Sequence, residues 1–90
     1  MTEVFPLLVE TGRREGDGLP DGATGAALLC YAPAGDEAEA VRETVALLQT
    51  AGLDVLEVTA DDDAPVDPEL AAEAARRGAV IVAQKTPFFD

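Results

Sequence analysis

Ninety residues form one domain, and the 48% apolar content is that of a globular chain whose core is drawn mostly from Ala, Val and Leu. Eighteen acidic residues against six basic ones give a net charge of −12, which repels a phosphate backbone and excludes direct nucleic-acid binding. A single cysteine, Cys30, and the lack of any histidine exclude an intrachain disulfide and a zinc site of the Cys/His kind.

Residues 2–11 contain Val4, Phe5, Leu7, Leu8 and Val9 and predict a strand. Pro6 cannot donate to a ladder, which places this strand at a sheet edge or Pro6 at a bulge. Residues 12–25 carry Gly12, Gly16, Gly18, Gly22 and Gly25 with Pro20 and charges of both signs, the pattern of a long, flexible loop.

Residues 26–32 are apolar without alternation and are followed by Pro33 and Gly35, as for a central strand buried on both faces. Asp36 then caps a helix, and Glu39 three positions on completes a capping box. Ala38, Val41, Val45 and Leu48 form its apolar stripe, flanked by Thr44, Leu47 and Ala51, and Gly52 stops it.

Residues 53–59 are rich in β-branched and aliphatic side chains and read as the next strand. Asp61, Asp62, Asp63 and Pro65 make a polar turn. Asp67-Pro68-Glu69 opens a second helix with an N-cap, a first-turn proline and an acid. Leu70, Ala71, Ala74 and Ala75 give it a narrow apolar face, Glu73 and Arg77 an i,i+4 pair, and Gly78 its end. Residues 79–83 predict a short buried strand, and residues 84–90 a tail carrying Phe88 and Phe89.

The elements run ββαβαβ. Crossover helices between successive strands predict an α/β domain (with α+β as the variant): a small two-layer sandwich with three parallel strands, two helices and an antiparallel N-terminal strand, at an edge or inserted between two parallel strands. With both helices on one face, the other face needs a cover, and a homodimer supplies one. The expected site is the rim beyond the carboxyl ends of the parallel strands, where Cys30, Tyr31, Asp36, Asp61, Asp62, Asp63, Gln84 and Lys85 gather.

Each reading of that rim has a bland competitor. Three consecutive aspartates supply hard oxygen ligands, but neighbours on one loop do not all point inward, and a solvated turn outweighs a metal site. Cys30 lies in an apolar run with no histidine to lower its pKa, so a small buried hydrophobe outweighs a nucleophile. Asp61, Thr86 and Lys85 echo a phosphoacceptor set, but the acidic pair that such chemistry needs is missing. The loop before the first helix has no glycine-rich phosphate fingerprint, and Asp36 and Glu37 repel an anion there.

The sequence therefore points to an acidic, non-catalytic module that homodimerises and binds a protein partner or a small ligand. Tyr31, Asp61, Asp62, Asp63 and Lys85 are its candidate ligand-binding residues, and Phe88 and Phe89 its candidate interface. The alternative is a small enzyme, or a subunit of one, with a site shared across a dimer interface, since Tyr, Asp and Lys do acid–base work without histidine. No metal or cofactor is expected. No apolar run approaches the roughly 20 residues of a membrane span, and the expected location is the cytoplasm.

Overall fold

The computed structural model describes residues 3–16, 18–60 and 66–89. The elements are β1 (Glu3–Thr11), β2 (Ala23–Ala34), α1 (Glu37–Thr50), β3 (Val55–Ala60), α2 (Pro68–Arg77) and β4 (Ile81–Phe89), in the expected ββαβαβ order. The strands form one sheet of order β3-β1-β2-β4.

Their directions differ from the expectation. β1 is antiparallel to both β2 and β3, and β2 is antiparallel to β4, so every neighbouring pair is antiparallel. The fold is α+β, and the parallel α/β sandwich is overturned. β2 and β3 do run the same way, but β1 lies between them. The parallel expectation required each helix to return the chain in the same direction, which α1 does and α2 does not, since β4 is antiparallel to β2. Here α2 instead carries the chain from one edge, β3, to the opposite edge, β4.

β1 is also not an edge strand. It holds Pro6 at an inner position because its ladder with β3 begins only at Leu7. β4 spans the supposed tail: its nine residues take in Phe88 and Phe89 as paired strand positions, and most of its side chains are exposed.

Strand alternation divides the sheet into two faces. On one, Leu7, Val9, Leu28 and Cys30 are buried to within 1%; Val9, Leu28 and Cys30 pack with Leu48 and Leu53 at and after the end of α1, and Leu7 with Ala40. Ala32 and Ala34 continue this core with Ala40 of α1. The buried side of α1 is therefore Ala40, Thr44 and Leu48, rotated from the expected stripe, and Ala38 is exposed.

Tyr31 belongs to the other face, where its hydroxyl reaches the start of α2. The backbones of the two helices nowhere come within 8 Å of each other. We conclude that α1 and α2 flank the sheet on opposite faces, so the expected bare face carries α2. Cys30, Tyr31, Ala32, Pro33 and Ala34 are all buried, as a strand covered on both sides requires.

Local chemistry sets the helix ends. Asp36 caps α1 by accepting the backbone N–H of Glu39 at 2.8 Å. Asp67 caps α2 through the N–H groups of Glu69 and Leu70, at 2.9 and 3.3 Å, with Pro68 in the first turn. Gly78 ends α2 in the left-handed region at φ 62°. Arg77 meets Glu73 at 2.8 Å, the expected i,i+4 pair on an exposed surface.

The loop between β1 and β2 is tied to the rest of the fold by several contacts, including the Gly12 N–H on the Asp54 carbonyl at 2.9 Å. Leu19 is buried among the α1-side core residues. Arg13 donates from Nη1 to the carbonyls of Pro20 and Ala23 at 2.7 and 2.8 Å. Among the described residues, no helix is long and apolar enough to cross a membrane.

Candidate functional site

The side of the sheet that carries α2 is only partly covered, because α2 has ten residues and the strands it crosses are longer. Where the first turn of α2 overhangs β2 and β4, an open groove of about 640 Å³ remains. Leu29 and Tyr31 of β2 and Ala83 and Gln84 of β4 line one side, and residues 66–70 line the other. Leu29, Val66, Leu70 and Ala83 are the aliphatic residues of a lining that is polar and apolar in about equal measure. The volume is in the usual range of ligand pockets, about 300–1,000 Å³.

Three features of the chain build this groove. A register shift in the β2–β4 ladder between Leu29 and Cys30 leaves Ala83 as the extra residue opposite the groove. Tyr31 is 2% exposed, and its hydroxyl accepts the backbone N–H of Asp67 at 2.9 Å, which anchors the start of α2 above β2. The Asp67 carboxylate takes the N–H groups of Glu69 and Leu70, and Pro68 pre-sets the backbone of that turn. Val66, at the mouth, is 45% exposed.

The groove's polar groups come from four residues. Tyr31 and Asp67 are engaged in holding α2, Gln84 presents an amide, and Glu69 is an exposed carboxylate. No Lys or Arg lines the groove among the described residues.

The sequence-derived candidates separate in space. Tyr31 is in the groove and Gln84 beside it. Lys85 pairs with Leu28 rather than Leu29, so it turns to the α1 side of the sheet, away from Tyr31. Within one chain the two do not meet. Asp61, Asp62 and Asp63 lie outside the described residues. Asp36 is spent as the cap of α1, and the rim it was assigned to does not exist in an antiparallel sheet.

Cys30 is mid-strand and fully buried in the α1-side core. Loss of water around its thiol pushes the pKa up to about 11, the opposite of what a nucleophile needs. Phe88 and Phe89 are neither a tail nor core: they end β4 with 42% and 59% of their surface exposed.

Leu29, Val66, Leu70 and Ala83 were not singled out from sequence. Leu29, Leu70 and Ala83 carried only the signal of apolar residues in elements expected to be buried, and Val66 carried none.

A family model described as "Domain of unknown function (DUF8846)" matches residues 4–89. The chain belongs to this family. No curated protein and no solved structure matches it. The matched span takes in all of the described groove residues.

Proposed function

We propose that this chain is a non-catalytic binding module that works as a homodimer and takes a protein partner or small ligand in the groove beside Tyr31. The observation that carries this reading is the groove itself: a concavity of about 640 Å³ with a mixed polar and apolar lining, beneath the start of α2 that the Tyr31–Asp67 contact anchors. Its phenol and its cap carboxylate are engaged in positioning α2, which supports binding over acid–base chemistry. The separation of Tyr31 and Lys85 onto opposite faces weighs against the enzyme reading within one chain.

The dimer part of the proposal is supported by the end of the edge strand β4, where Phe88 and Phe89 are each more than 40% exposed. Large apolar side chains gathered on one edge favour a covered surface.

Titration of the isotope-labelled chain with indole, a neutral apolar probe, tests the groove. Shifts confined to the amides around Leu29, Leu70, Ala83 and Gln84 are expected. Shifts scattered over the surface, or none, overturn the reading. Light scattering of the wild type and of a Phe88→Ser, Phe89→Ser double variant tests the dimer: two chains becoming one is the expected result, and a monomeric wild type refutes it.

A further inference from the structure

We infer that the groove takes an apolar side chain presented on a short, basic, extended segment of a partner protein. This rests on the reading of the groove as a binding site and adds the chemistry of what fills it.

The charge around the groove selects a cationic partner. Asp67 and Glu69 stand at the groove, and no Lys or Arg lines it among the described residues. The whole chain carries −12, a field that raises the local concentration of cations and slows the approach of anions. An anion would ordinarily be drawn to the first-turn N–H groups of α2, but Asp67 already accepts two of them, from Glu69 and Leu70. A phosphate or carboxylate ligand is therefore disfavoured twice, by charge and by occupancy of the donors.

The apolar part of the lining selects the anchor. Leu29, Leu70 and Ala83 offer no charge, and Val66 leaves 45% of its surface in water at the mouth. An aliphatic or aromatic side chain inserted there removes that surface from water, while a purely polar basic segment gains nothing from it.

The position of the groove selects an extended segment. Gln84 belongs to β4, which ends the strand order β3-β1-β2-β4, so one side of its backbone has no partner in the sheet. A segment laid along this edge gains main-chain hydrogen bonds and directs alternate side chains toward the groove. Lys85 and Pro87, further along the same strand, are residue types that deter pairing, which limits the segment to the Ile81–Gln84 stretch.

The experiment uses the isotope-labelled full chain and three capped pentapeptides: Lys-Leu-Lys-Leu-Lys, Glu-Leu-Glu-Leu-Glu and Lys-Ser-Lys-Ser-Lys. The first is expected to move the amides of Leu29, Leu70, Val82, Ala83 and Gln84, and the other two are expected to leave them in place. Glu69→Gln, an exposed change in a helix, is expected to weaken the first peptide about two- to fivefold. Equal binding by the serine peptide, or shifts spread along the acidic face of α1, would reduce the effect to bulk charge and overturn the inference. Equal binding by the glutamate peptide overturns its basic half. Indole moving the groove amides while no peptide does so removes the basic partner and leaves the groove reading intact; silence from indole and peptides alike removes both.

Discussion

Tyr31 and Asp67 are 36 residues apart in the chain, yet the phenol oxygen of one accepts the backbone N–H of the other at 2.9 Å. The contact joins the central strand to the first turn of α2 across the thinly covered face of the sheet. Of the residues that line the groove, Tyr31 is also among the largest that are fully buried. Its ring fills space and its hydroxyl satisfies an amide that precedes the helix.

Tyr31→Phe keeps the ring and removes the acceptor. The Asp67 N–H is then left partly buried without its partner, at an expected cost of about 1–2 kcal/mol. Urea denaturation reads this as a lower midpoint at an unchanged slope. An unaltered midpoint would mean that solvent replaces the hydroxyl at no cost, and the contact would then not be what holds α2 in place.

Leu48→Ala tests the core beneath α1. Leu48 is 2% exposed and packs against the sheet, so truncation is expected to cost about 2–4 kcal/mol. Its neighbour Leu47 is 43% exposed, and Leu47→Ala is expected to cost less than about 0.5 kcal/mol. Equal losses at the two positions would mean that the buried face of α1 has been placed one residue out.

Thr44 is fully buried on that same face, and its hydroxyl has no hydrogen-bond partner among the described residues. Valine has nearly the same shape without the polar atom. Thr44→Val is therefore expected to leave stability unchanged or raise it by about 1 kcal/mol, read from the thermal midpoint. A clear loss would show that the hydroxyl is hydrogen-bonded in solution.

How far the chain could be read in advance depended on the range of the physics involved. Asp36, the Asp67-Pro68 pair and Gly78 announced both helices correctly, because a cap is settled by residues two or three positions apart. Strand direction was not legible. An apolar run such as residues 26–32 looks the same in a parallel or an antiparallel sheet, and what settled it was β1 inserting between β2 and β3 and β4 running antiparallel to β2. The error at β4 has the same root: Lys85, Thr86 and Pro87 read as a tail because an exposed edge strand lacks the apolar alternation of a half-buried one. For the site, Tyr31 stood out as the one aromatic of the central strand. The rest of the groove comes from three segments up to 55 positions apart, Leu29 to Gln84, and no local pattern marks it.

The Cys30 thiol gives stability a dependence on alkaline pH. Its pKa is about 11 in the folded chain, raised by burial from an ordinary 9.0. The folded state therefore holds its proton where the unfolded state has lost it. The contribution is complete below pH 9 and is lost as the pH climbs from about 9 to 11, at roughly 3 kcal/mol over the two units. Other groups also titrate there, so the informative quantity is the difference between the wild type and Cys30→Ala. That difference is expected to shrink as pH rises through the window. Parallel curves for the two proteins would mean that the thiol is ionised as readily in the fold as outside it.

Gly25 sits where the backbone of β2 lies tightly against that of β1. A Cβ there would lie 2.2 Å from the backbone carbonyl oxygen of Thr11, far inside van der Waals contact and against an atom that cannot turn aside. Thr11 itself is 2% exposed and paired with Ala26, so relieving the clash requires the two inner strands to separate at this point. Gly25→Ala is expected to cost more than about 2 kcal/mol or to prevent folding, as overpacking of a rigid contact does. Gly35→Ala is the matched control, because its nearest contact is the flexible Glu39 carboxylate at 3.5 Å, and it is expected to fold with a midpoint close to the wild type. If both alanine variants unfold at the same urea concentration as the wild type, the close approach of β2 to β1 at Gly25 is wrong.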